Sequence, residues 1–337
     1  MTTWLDHISQ KMHLDIDWAD VETVKTLPAV PYDQTCNPYL LGLQLGTEAN
    51  AALLAETVKE LHAQGWLAIY TRMAAAILQK SLAFIKGRVL VQTIPSAAYN
   101  VEQTLVHARL YAQEFERAGV PRNRFCIKIL ATGQGVNAAR RLQSEGISTL
   151  GTGVFGLDQA VACSQAGCLF ISPYYNEVRS IRDPSLWPNV ADPTTQHPFS
   201  RTLVQMIGIY EHLQNTTGKR QPMIKLAAFR SIKEVDAAAR LGCHSSTVTP
   251  AVFNELGATK FEGKPYGEPL TAIFPDLVLP TSLNEIDYLA EDGAKLNAAL
   301  EVDTVAGDRL KDAMERFLTA EATSKELIEG AIKASTK

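Results

Sequence analysis

The sequence predicts an α/β fold, a (β/α)8 barrel with extra helices towards its C-terminus. Three observations carry that expectation. Eight short apolar segments read as strands, and nearly every one is followed by a segment of helical period. Eight such units fit a closed barrel better than an open sheet. The runs RFCIKILA and GCLFISP are apolar on both faces, as parallel strands covered inside and out must be. No glycine-rich phosphate fingerprint follows the first strands; GTGVFG at Gly151–Gly156 lacks the GxGxxG spacing and sits mid-chain, so a dinucleotide-binding open sheet takes second place.

In chain order, His13–Asp17 is the first strand, with a helical turn from Asp20, and Asp33–Asn37 is the second, stopped by Pro38. Glu48–His62 and Tyr70–Lys86 read as helices. Arg88–Thr93 is a strand followed by the amphipathic helix Val101–Ala118, which ends at Gly119. Arg124–Thr132 is a strand, and the helix Gln134–Glu145 has Gly146 just past its end, where a left-handed cap belongs. Ile147–Phe155, Cys168–Tyr174, Met223–Phe229 and His244–Thr249 complete the strands. Asp158–Ala166, Thr202–Thr217, Ile232–Leu241 and Val252–Leu256 are the helices that follow them. Lys260–Pro269 is polar and turn-rich, a loop, and residues 283–337 carry two or three helical patterns expected to pack outside the barrel. The expected organisation is one domain over residues 1–337.

Composition narrows the function. Of the 337 residues, 46% are apolar and 20% charged, enough apolar surface for a folded core. A net charge of −4 argues against a polyanion binder, so no nucleic-acid partner is expected. The N-terminal MTTWLDHISQ lacks a basic region followed by an apolar run, and no apolar stretch approaches a membrane span, so a cytoplasmic protein is expected. The five cysteines are widely spaced without CxxC, and the seven histidines show neither HxH nor HExxH; neither a disulfide frame nor a metal site is expected.

Lys128 is the residue that most needs explaining, because it lies in the middle of an apolar strand, between Ile127 and Ile129. If it points into the barrel, it reaches the mouth where barrel enzymes do their chemistry. Desolvation lowers a lysine pKa and yields a neutral amine able to attack a carbonyl. The alternative is a lysine paired to a buried carboxylate, and burial by itself leaves both open. Lys225, in MIKLAAF, is in a similar setting and is the rival nucleophile. Asp17, Asn37, Gln92, Thr152, Ser172 and Arg230 each fall at or near the C-terminal end of a predicted strand. Together around a buried lysine they describe a polar pocket for a hydroxylated carbonyl substrate.

DQTCNP, RFCIKILATGQGVNAARRLQSEGI, QAVACSQAGCLFISPYY and LAAFRSIKEV, in that order and spacing, resemble the transaldolase family over essentially the whole chain. The resemblance implies a metal-free class I aldolase barrel without cofactor, in which a lysine holds a dihydroxyacetone unit as a Schiff base while it passes from a ketose phosphate to an aldose phosphate. The implied place is carbohydrate metabolism, in the pentose phosphate pathway, with a homodimer among the assemblies allowed. By position, Lys128 resembles the Schiff-base lysine and Asp17 the acid–base carboxylate. Thr35, Asn37, Thr152 and Ser172 resemble pocket polar residues, and Arg230 one of two phosphate arginines. This sequence departs from the pattern at Gln92, where the family has glutamate, at Leu150 for asparagine, at Tyr174 for phenylalanine and at Glu177 for the second arginine; Arg179 and Arg182 are close in sequence. Glutamine with tyrosine is the pairing of the transaldolase-like fructose 6-phosphate aldolases, which release free dihydroxyacetone. A specialised substrate, or a catalytically weak paralogue kept for binding, are the remaining alternatives.

Overall fold

Eight short strands pair in parallel in chain order: β1 (His13–Asp17), β2 (Gln34–Cys36), β3 (Val89–Gln92), β4 (Phe125–Leu130), β5 (Thr149–Val154), β6 (Phe170–Pro173), β7 (Met223–Leu226) and β8 (Ser245–Val248). β8 pairs with β1 through His13 opposite Ser245, which closes the barrel. The computed structural model describes residues 2–263, 266 and 270–335. The loop expected over Lys260–Pro269 therefore lies partly outside the described residues, as do the last two residues of the C-terminal segment.

Side chains alternate faces along a strand, so each strand feeds two cores. On β3 to β6 one face contributes Leu90, Cys126, Leu150 and Phe170, which pack together in a cluster separate from the main core. This cluster is the apolar plug inside the barrel. The intervening residues, such as Val89, Val91, Ile127 and Ile129, belong to the main core under the surrounding helices. The plug fixes the direction of the next residue on the same face. Two residues towards the C-terminal end stand Gln92, Lys128, Thr152 and Ser172, one layer nearer the mouth. Register agrees: Gln92 is opposite Lys128, and Thr152 is opposite Ser172.

The predicted strands and the helices after them are all present, with boundaries shifted by a few residues. The helix expected over Tyr70–Lys86 starts earlier, at Trp66, and runs to Gln79 before a 3-10 turn. Among the described residues, two α-helices of five residues or more were not expected. Trp4–Ile8 starts from a capping box between Thr3 and Asp6. Pro38–Leu45 begins where the strand stops: Pro38 takes the first helical turn, where its missing N–H costs nothing, and Asn37 Oδ1 accepts from Leu40 N at 3.0 Å.

The C-terminal segment forms the helices Ala294–Val302 and Thr304–Ser335. Gly293 adopts φ +83° and lies so close to Gly133 that a Cβ on either would meet the other's backbone. Asn297 Oδ1 accepts from Gly133 N at 2.8 Å, which fixes the segment to the helix after β4. The 32-residue helix Thr304–Ser335 packs on Pro38–Leu45 and on Trp66–Gln79. Its Glu321 accepts from Ser96 N at 3.0 Å and from Ser96 Oγ at 2.5 Å, in the loop after β3. Both attachments are on the C-terminal side of the strands, so the long helix walls the barrel mouth. Among the described residues, no helix is long and apolar enough to cross a membrane.

Candidate active site

A cavity of about 470 Å³ opens at the C-terminal ends of the strands. Of the residues singled out from sequence, Asp17, Asn37, Lys128, Ser172, Tyr174, Glu177 and Arg230 line it. Thr35, Gln92 and Thr152 do not; they are buried in the barrel immediately behind it. Thr35 Oγ1 donates to Asp17 Oδ1 at 2.6 Å and so positions the carboxylate. Thr152 Oγ1 lies 3.3 Å from the Tyr174 hydroxyl. Both amide atoms of Gln92 are buried behind the cavity wall without a protein partner, so its donor and acceptor capacity is unused within the protein. Leu150 belongs to the apolar plug and stands opposite Lys128 in register, so it dries the lysine's surroundings.

Lys128 is only 4% exposed, and its Nζ makes no hydrogen bond or ion pair among the described residues. Burial lowers its pKa, and the charge on Asp17 opposes that shift without cancelling it. Asp17 is shifted upward by burial, against the pull of Lys128, the Thr35 bond and Arg316. The Tyr174 phenol is pushed up to about 12 by burial, so it stays a neutral donor. The site therefore offers a nearly dry amine, a carboxylate inclined to take up a proton, and a phenol that keeps its own.

Lys225 is one layer deeper. Its Nζ is 2.9 Å from Asp15 Oδ2, 2.7 Å from Asp33 Oδ2 and 3.1 Å from Ser245 Oγ, with all three charged side chains fully buried. Burial opposes its charge, but the two carboxylates outweigh it and raise its pKa. This lysine is a fixed ammonium.

The rim carries residues that the sequence did not single out. Arg316, from the long C-terminal helix, lines the cavity, and so do Tyr39 and Trp18. Arg230 donates to the carbonyl of Ser180, and its guanidinium carbon stands 5.3 Å from the Trp187 ring centroid. Ala227, Ala228 and Phe229 lead from β7 into it, and Ala228 is left-handed at φ 66°, a strained turn that re-aims the chain at the mouth. Glu177 accepts from Arg179 Nη2 and from Arg309 Nη2, each at 3.1 Å. Arg179 and Arg182 line an adjoining crevice on the rim, which shares Val178 and Arg316 with the main cavity.

A closed parallel barrel with a polar pocket at the strands' C-terminal ends defines an enzyme of the (β/α)8 class. The chain belongs to the transaldolase/fructose-6-phosphate aldolase family, whose model matches residues 14–328. It is 28% identical over 335 residues to a transaldolase of Gloeobacter violaceus, covering 96% of this chain and 80% of that one. It is 27% identical over 342 residues to a transaldolase of Agrobacterium fabrum, covering 99% of both. A transaldolase of Marinobacter nauticus is 29% identical over 325 residues, covering 94% of each chain. Transaldolase-type enzymatic function follows from this membership.

Proposed function

We propose that the protein forms a Schiff base between Lys128 and a ketose phosphate and transfers a dihydroxyacetone unit to an aldose phosphate. The observation that supports this most is the unpartnered, desolvated amine of Lys128 facing the cavity, beside a carboxylate that is not ion-paired to it. The amine attacks the ketose C2 carbonyl, and loss of water leaves an iminium. Asp17 takes the proton of the C4 hydroxyl as the C3–C4 bond breaks; the bond's electron pair passes into the iminium as an enamine, and the aldose leaves. An incoming aldehyde then accepts the enamine carbon, Asp17 returns the proton to the new alkoxide, and water hydrolyses the product iminium to free the new ketose and the Lys128 amine. Thr35 positions Asp17 for both steps.

A second reading rests on Gln92 and Tyr174. The Tyr174 hydroxyl near Thr152 can orient a water that protonates the enamine, after which hydrolysis releases free dihydroxyacetone. Gln92 can hold that water but cannot accept its proton. The two readings separate in a product assay with fructose 6-phosphate as donor. Turnover strictly dependent on an aldose phosphate acceptor supports transfer. Free dihydroxyacetone formed without acceptor supports aldolase-like cleavage, and no turnover in either arm rejects both.

A further inference from the structure

One face of the long C-terminal helix meets the loop after β6. Arg309, Asp312 and Arg316 recur at three- and four-residue spacing and so share that face. The first two are used up there: Arg309 binds Glu177, and Asp312 Oδ2 accepts from Arg179 N at 3.1 Å. Arg316 extends past them into the cavity. Its guanidinium carbon stands 4.3 Å from the Tyr39 ring centroid, a contact that fixes the group in place. It makes no hydrogen bond or ion pair among the described residues, so its donors are uncommitted.

Asp17 feels its charge, but no carboxylate is ion-paired to it among the described residues. Glu177 is occupied by Arg179 and Arg309, and Asp17 is held by Thr35 in the deeper part of the site. Arg230 lines the same cavity with part of its donor set given to the Ser180 carbonyl. Two guanidinium groups in one cavity, one of them wholly uncommitted, suit a dianionic oxyanion better than a neutral hydroxyl.

We propose that Arg316, supplied by the C-terminal helix, is a specificity-determining residue that binds the substrate's phosphate together with Arg230. This rests on the sugar-phosphate reading above, and it makes the C-terminal helix part of the active site. A substrate phosphate seated there ties the helix to the barrel mouth.

The test titrates inorganic phosphate into the full-length protein, followed by calorimetry. Wild type binds it, and Arg316→Gln weakens binding by roughly tenfold or more, the loss of a charge-assisted contact. Unchanged phosphate affinity in Arg316→Gln overturns the proposal, as does absence of binding to wild type. If Arg316→Gln does not fold, Arg316→Lys decides: it keeps the charge but loses the fork, so affinity drops several-fold, and wild-type affinity would reject a guanidinium contact. In parallel, the concentration dependence of borohydride trapping is compared for fructose 6-phosphate and dihydroxyacetone. Arg316→Gln raises the ratio of their half-saturating concentrations about tenfold; an unchanged ratio means that Arg316 only supports the helix. If wild type traps neither compound, the Schiff-base reading fails, while the phosphate titration still judges Arg316.

Discussion

The barrel interior contains two lysines with opposite surroundings. Lys225 is enclosed by Asp15, Asp33 and Ser245 and raised in pKa, whereas Lys128 is open to the cavity, lacks an ion-pair partner and is lowered. Both lie in apolar strands, so burial alone does not separate a nucleophile from a structural cation. What separates them is the layer. Below the cavity a lysine without partners is too costly, so two carboxylates meet it. At the mouth the same cost favours the neutral amine, the form that the proposed Schiff-base chemistry needs.

The largest expected effect is on turnover. Lys128→Met should reduce activity to the uncatalysed background while leaving the protein at least as stable, because it removes a buried amine with no partner. Turnover assay and thermal melting check both halves; a large loss of stability would show that Lys128 holds the fold. Lys225→Met should do the reverse. It strands two carboxylates in the core and should cost about 3–5 kcal/mol of stability, read by denaturant unfolding, while the folded fraction keeps its adduct at Lys128.

Asp17→Asn sharpens the comparison from the carboxylate side. It should lower turnover by roughly 10²-fold, as for loss of a positioned acid–base group, yet leave imine formation detectable. It should also move the pH dependence of trapping. The inflection for Lys128 lies below the ordinary 10.5, and removing the Asp17 charge that holds it up should carry it lower still. An inflection that stays put or rises would contradict the assigned coupling.

The two lysines should also give opposite slopes of stability against pH. Lys225, raised in the folded state, contributes stability that is full below pH 10.5 and is lost as pH climbs through its folded pKa. Lys128, lowered in the folded state, costs stability in full below its folded pKa, and that cost fades as pH approaches 10.5. The stability difference between wild type and Lys128→Met should therefore narrow over that window; a constant difference would mean that Lys128 titrates normally. The smallest effect concerns partition between products. Tyr174→Phe should reduce release of free dihydroxyacetone more than it reduces transfer, measured by the same product assay, and equal losses would remove the phenol from the proton route.

Much of the barrel was legible in the sequence, because a strand buried on both faces leaves a short apolar run and period two gives each residue its side. That period also places Lys128 on the same face as Cys126, and Asp15 on the same face as Asp17. What it does not give is the pairing between distant strands, so the Asp15–Lys225–Asp33 cluster stayed hidden, and on the residues alone both lysines remained candidates until the family resemblance favoured Lys128. Pro38 was read as a stop when it is the first residue of a helix capped by Asn37; the residue type fits both roles, and packing chose. Arg316 was missed because its place at the mouth comes from tertiary packing of a helix far along the chain from the strands that build the pocket. The spacing of Arg309, Asp312 and Arg316 was visible, but nothing local says that the face they share meets the loop after β6.

The central claim, that the cavity lysine and not the paired lysine is the nucleophile, meets its most direct measurement in borohydride reduction with fructose 6-phosphate, followed by peptide mass mapping. A single reduced adduct is expected on the peptide that contains Lys128, absent from Lys128→Met and retained by folded Lys225→Met. An adduct on Lys225, or one that survives in Lys128→Met, would contradict it.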